Sequence, residues 1–413
     1  MRTQVARQVA HWRAAIVTLD DLDNFAAPSA WHGLERQLGT TLRRHLRTAV
    51  DRLQREADVL EAQLRAADTA EELEGVRRAV VRFRRRFLAT ETALDFYGDA
   101  VNSRTNPKLA ALLAACDVLA RRSLESVLTP LGKPVPPILT YIDKGLGASI
   151  LRSGLRLWDG HTLSAAAAIK ITRHNLYRPT ACLHEAGHQA AFMLDWNDEL
   201  AASMRRELRD APIVADTWAG WSSEVAADTL AFAHVGYASV AALHDVIAGE
   251  PTSVFALRPM DPHPIAYLRV LLGTQMCVRF YGAGPWDDLA RAWVLAHPID
   301  EAPDGVRDLV TGSIERLPRL VDVCLLRATR AFGGRALGAV VDPARVRPDA
   351  LAQLARDAGP SLFTSSHWIW TECLRLLALS GYRAATEPER AKEIADQFET
   401  WMLHLGRGIE AAA

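Results

Sequence analysis

At 413 residues, 49% of them apolar, the chain can bury a sizeable core and has room for about two or three domains. A formal net charge of −1 gives no general attraction to nucleic acid or to an anionic membrane surface. Five scattered cysteines with no CxxC pair exclude a disulfide framework and fit a reducing compartment.

The N-terminal MRTQVARQVAHWRAAIVTLDDLD has no continuous apolar run and soon turns acidic, so it does not read as a signal peptide. No apolar stretch is long enough to span a membrane, and the expected setting is cytoplasmic. From Leu34 onward the apolar residues take helical spacing. Leu46, Val50, Leu53, Ala57, Leu60 and Leu64 alternate by four and three, a heptad seam. After the short polar link Ala67-Asp68-Thr69-Ala70 a second seam runs through Leu73, Val76, Val80, Phe83, Phe87, Leu94 and Tyr97. Two such seams predict an antiparallel helical hairpin with arms of roughly 45 Å at about 1.5 Å per residue.

Arg82, Arg84, Arg85 and Arg86 fall within the second arm among interleaved acids and read as a solvated face. Asn106-Pro107 opens a further helix through Leu109–Leu128. The proline-rich stretch from Thr129-Pro130 to Pro136-Pro137 reads as a linker and sets the expected boundary near residue 140. Two candidate strands follow, Leu155-Arg156-Leu157-Trp158 and Ile169-Lys170-Ile171-Thr172, the first ending on the turn signal Asp159-Gly160. Gly145-Leu146-Gly147 lacks the third glycine of a dinucleotide fingerprint. Helices are expected from there to the end. The expected class is mainly α with a small sheet, arranged as a helical hairpin (1–140), a central core (141–300) and a helical C-terminal region (301–413).

The chemistry concentrates in His184-Glu185-Ala186-Gly187-His188. Two histidines four apart on a helix share one face and can ligate a single Zn²⁺, while the intervening Glu185 can act as general base on a bound water. A third ligand is needed. Trp221-Ser222-Ser223-Glu224-Val225-Ala226-Ala227-Asp228 supplies Glu224, and Asp228 on the same helix face can accept the free ring N–H of a ligand histidine. Ala226 and Ala227 are small enough for that helix to pack closely on the His184–His188 helix. Cys182 should point away from the ligands into packing, and His297-Pro298 reads as structural.

HExxH followed by a downstream ExxxD resembles the gluzincin branch of zinc metallopeptidases, matched by His184, Glu185, His188, Glu224 and Asp228. Asp261-Pro262-His263-Pro264-Ile265-Ala266-Tyr267-Leu268-Arg269 is further similar to the HP segment of the CAAX-prenyl-protease type, which carries an arginine six residues after its histidine. The resemblance covers about residues 155–270. It implies a zincin-like core, one zinc per chain, a protein or peptide substrate, and an oxyanion-holding role for His263. Arg269 is left with two roles, a clamp on a substrate carbonyl or a pair with a carboxylate such as Asp228. In zincins an edge strand above the metal receives the substrate, and Ile169-Lys170-Ile171 is the candidate. Those membrane-embedded relatives differ from this chain, so the prenylated substrate is not carried over.

The expected activity is hydrolysis of a peptide bond by a zinc metalloendopeptidase, with Glu185, His263 and Arg269 as the reacting-site residues. Two other readings stay open: a helical interaction protein stapled by a structural zinc, and a zinc hydrolase of a non-peptide amide. The hairpin is a candidate surface for a protein partner or for self-association.

Overall fold

In the computed structural model the described residues are 1–38, 42–143, 148–153 and 166–412. The chain is mainly α-helical with one small sheet, as its periodicity requires. Among the described residues no helix is long and apolar enough to cross a membrane.

The N-terminal helices are α1 (Arg2–Asp20), α2 (Pro28–Leu38), α3 (Leu42–Ala66) and α4 (Ala70–Asn102). α3 and α4 form the expected hairpin. The polar link becomes a helix cap: the Glu72 amide donates to Thr69 Oγ1 at 3.2 Å, and Glu72 Oε2 accepts from the Thr69 amide at 2.9 Å. The heptad seams do not close on each other alone. α1 lays Val5, Val9, Ile16 and Leu19, which with Trp12 repeat by four and three, against both arms and makes a bundle with them.

α5 (Pro107–Leu128) starts as expected, with Asn106 Oδ1 accepting the Leu109 amide at 3.1 Å and Pro107 in the first turn. α5 buries Leu112, Leu113, Cys116, Leu119 and Leu124 in the central cluster, whereas α1–α4 bury theirs in the N-terminal one. The proline stretch after it leads straight into a strand.

The sheet has three strands, β1 (Ile138–Ile142), β2 (Ser149–Leu151) and β3 (Ala167–Ile171), in the order β1-β3-β2. β3 runs parallel to β1 and antiparallel to β2. Alternation along the strands divides the two clusters: Ile138, Ala167, Ile169 and Ile171 face the central core, whereas Leu139, Tyr141 and Ala168 face the N-terminal bundle. Asp117 of α5 ties the sheet down, accepting the Thr140 amide at 2.6 Å and pairing with Arg104 at 2.7 Å. The candidate strand at 155–158, its Asp159-Gly160 turn and Gly145-Leu146-Gly147 lie outside the described residues.

The central core is built on α6 (Thr180–Met193), α7 (Trp196–Glu207), α8 (Pro212–Gly220), α9 (Ser222–Val235), α10 (Tyr237–Ile247), α11 (Pro251–Val254) and α12 (Ala266–Tyr281). α9 is buried along most of its length between α6, α7, α10 and the C-terminal helix Cys373–Thr386. The last helix, Ala391–Ala412, covers α5. All five cysteines are buried thiols, and Cys182 packs beside Cys116 of α5, away from the ligand face. His297 is buried edge-on to Trp293, ring centroids 4.3 Å apart, consistent with a packing role.

His234, near the end of α9, is fully enclosed. Its Nδ1–H donates to the Leu230 carbonyl at 2.7 Å and Ser126 Oγ lies 2.7 Å from Nε2. Burial outweighs these contacts and depresses its pKa to about 4, so the folded chain keeps the ring neutral. The unfolded ring titrates near 6.5. The stability this neutral ring contributes is therefore present above about pH 6.5 and is lost as pH falls towards 4, by up to about 3 kcal/mol. Urea midpoints of wild type and His234→Gln across pH 7 to 4 should show a shallower acid loss in the variant. Parallel curves would exclude His234 as a source of acid sensitivity.

Candidate metal centre

α6 and α9 cross at unusually close range because of three small residues. A Cβ on Gly187 would stand 2.9 Å from Ala227 Cα and 3.0 Å from its carbonyl oxygen. Ala226 and Ala227 are fully buried at this crossing. Close approach brings the first turn of α9 beneath the histidines of α6.

There His184, His188 and Glu224 offer one ligand atom each, all within 4.8 Å of one another, the one such group found among the described residues. His184 Nε2 is 3.3 Å from Glu224 Oε2 and His188 Nε2 is 3.1 Å from Oε1. The two rings stand edge to face with centroids 4.7 Å apart. Both histidines thus turn the same nitrogen towards the carboxylate. Two imidazoles and one carboxylate suit a divalent transition ion, whose ligand bonds of about 2.0–2.2 Å can be reached from atoms this close. The donor set fits a metal.

The outer ring nitrogens are held as well. His184 Nδ1 donates to Asp228 Oδ1 at 2.8 Å, and Ser223 Oγ lies 3.3 Å from His188 Nδ1. Asp228 occupies the place its spacing suggested. Ser223 was not singled out from the sequence, where its adjacency to Glu224 was the available signal.

Arg269 of α12 closes the cluster from below. Its Nε and Nη2 reach Asp228 at 2.5 and 2.8 Å, and Nη2 also reaches Glu224 at 3.3 Å. Of the two roles open to it, the geometry favours the carboxylate pair over the substrate clamp. The side chain is 10% exposed and two of its nitrogens are spent on Asp228.

The charges follow this packing. Burial alone would raise the Glu224 pKa, but hydrogen bonds from His184 and His188 outweigh it and hold the carboxylate far below its ordinary range. Asp228 is likewise pushed up by burial yet brought down to about 2 by Arg269 and His184. His184 would be lowered by burial, but Asp228 and Glu224 push it up to about 10. A metal bound there would compete with protons for His184. Glu185 has the opposite fate: burial raises its pKa, opposed by the two histidines.

His263 sits at the rim, its side chain 56% exposed, with Nε2 3.6 Å from Glu224 Oε2. Asp261 Oδ1 accepts from its Nδ1 at 2.6 Å and from its backbone amide at 3.1 Å. Asp261 is thus the residue that aims His263, a role its position two residues upstream did not reveal. The preceding Met260 takes a left-handed φ of 64° in the turn that carries this loop.

The expected substrate strand needs correction. Ile169, Lys170 and Ile171 form β3, which is the middle strand and is hydrogen-bonded on both sides. Ile169 and Ile171 are fully buried. The strand on the site's side is β2. Ser149 and Ile150 of β2 line a cavity of about 1100 Å³ together with His184, Glu185, His188, Glu224 and His263. The arginines of α4 stay on an exposed face, Arg86 pairing with Glu56 at 2.8 Å.

Asp228→Ala should weaken metal affinity by roughly 10–100-fold without abolishing it, because the ligand ring loses its orienting carboxylate. A chelator competition titration reads this directly. Unchanged affinity would show that Asp228 serves only to hold Arg269.

No family model, curated protein or solved structure matches the chain. The class that fold and site define is a mainly helical protein with a His-His-Glu group that could hold a metal ion, lining a large cavity.

Proposed function

We propose that the chain is a zinc metallopeptidase of gluzincin type. The observation that carries the reading is Glu185. It is a carboxyl 4% exposed, raised in pKa by burial, lying beside a three-ligand set and lining the same cavity. A zinc that merely stapled a scaffold would need neither that carboxyl nor the cavity.

His184, His188 and Glu224 would hold the ion. A zinc bound there supplies a Lewis acid for the scissile carbonyl and lowers the pKa of a bound water towards about 7. Glu185 takes the proton of the attacking water and returns it to the leaving amine, a cycle helped by a carboxyl whose pKa burial raises. His263, held at Nδ1 by Asp261, presents Nε2 at the cavity rim, where in its imidazolium form it donates to the developing oxyanion. Asp228 and Arg269 act through the ligands, keeping His184 and Glu224 in place. A peptide would lie along β2, whose outer edge has no partner among the described residues.

The test is digestion of a mixed peptide library by purified protein, read by mass spectrometry. Cleavage should stop on chelation and return with one equivalent of zinc. A metal-free preparation that cleaves equally well, or a zinc-loaded one that cleaves nothing, would overturn the reading.

A further inference from the structure

The cavity contains a cation that neither the ligand set nor the proposed chemistry uses. Arg152 stands one residue beyond β2 and lines the cavity with Glu185, His188 and Ser223. It is half-buried, and its guanidinium lies over the Phe192 ring of α6, 5.5 Å from the centroid. The backbone beside it is anchored, since the Ser153 amide donates to Gln189 Oε1 at 2.9 Å.

Among the described residues, the other two arginines of the cavity are spent. Arg269 is held by Asp228 and Glu224, and Arg178 by Asp245 at 2.5 Å. Arg152 has no hydrogen bond or ion pair among the described residues. Burial depresses its pKa, and only the more distant charges of Glu185 and Glu224 oppose that. Holding a desolvated cation without a partner is costly, and a stacked guanidinium with free donors is suited to a planar two-oxygen acceptor. Glu185 lies beyond ion-pair reach and must stay free to carry a proton. The cavity lining also includes the apolar side chains of Phe232, Val240, Leu243, Leu272 and Met276.

We infer that Arg152 receives a carboxylate of the substrate, so that the preferred peptide carries a free C-terminus or an acidic side chain close to the scissile bond, together with an apolar side chain for the apolar part of the lining. This rests on the peptidase reading for its substrate, though the carboxylate site itself can be tested without turnover.

The probes are N-acetyl-leucine and its carboxamide, titrated calorimetrically into zinc-loaded, full-length Glu185→Gln protein. The carboxylate should bind at least about tenfold more tightly than the amide, a gap in line with one charge-assisted bidentate contact. Adding Arg152→Met should shrink that gap to within about twofold, and Arg152→Lys, which keeps charge but loses the fork, should fall between. Zinc affects the carboxylate equally in all three proteins, so only the differences between them are read. If Arg152→Met folds poorly, Arg152→Gln reads the same difference. An undiminished preference in a folded, zinc-loaded Arg152 variant overturns the inference.

Peptides of one sequence, ending in carboxylate or carboxamide and with or without an interior glutamate, then separate the two sources. Preference for the free terminus identifies trimming from the C-terminal end, and preference for the glutamate identifies internal cleavage beside acidic residues. If no peptide is cut while the binding gap behaves as stated, the peptidase reading fails and the carboxylate site stands.

Discussion

Glu185→Gln should keep one zinc per chain and lose hydrolysis by on the order of 10²–10⁴-fold, the usual worth of a positioned general base. Gln has the size of Glu and can refill the buried niche beside His184 and His188, but it cannot accept a proton. His188→Ala should do the reverse and lose the metal itself, because it removes one of the three ligand atoms that lie within 4.8 Å. Elemental analysis and turnover on both variants decide the matter. Zinc retained in His188→Ala would sink the ligand assignment, and full activity in Glu185→Gln would remove the proton carrier from the mechanism.

Gly187→Val is expected to be the most damaging single change outside the ligands. The first atom of any side chain there would stand 2.9 Å from the Ala227 backbone, which cannot rotate away. α6 and α9 must then separate, at a cost on the order of 3 kcal/mol or more. That is a large share of a typical stability of about 5–15 kcal/mol. Separation also withdraws Glu224 from the histidines, so metal affinity should fall along with the melting temperature. Gly187→Ala should show both losses in weaker form. A Gly187→Val protein that melts normally and holds zinc would mean that the two helices do not need their close crossing.

The seams of α3 and α4, the Asn106-Pro107 helix start and the His184–His188 face were legible because each depends on a period or a cap within a few neighbouring residues. Glu224 and Asp228 were legible for the same reason, since four-residue spacing puts both on one side of one helix. The bundle role of α1 was not read, although Val5, Val9, Trp12, Ile16 and Leu19 alternate by four and three, because a seam does not say which helices will meet it.

The sheet failed for a related reason. Ile169-Lys170-Ile171 reads as a strand from its own residues, but whether a strand is central or at an edge depends on what pairs with it. Here β1 comes from about thirty residues upstream and β2 takes the other side. The same holds for α5, whose helix is local but whose place in the central core is set by α6 and the last helix of the chain.

By itself, then, the sequence determined the helical class, the shared face of His184 and His188 on α6 and that of the two acids on α9, all consequences of a 3.6-residue repeat. Only the tertiary structure decided that Arg269 is an internal partner of Asp228, that Asp261 aims His263, that Ser223 stands behind His188, and that β2 borders the cavity with Arg152 at its end. Each of those is a contact between side chains whose direction is set by packing of distant elements, and no local period encodes it.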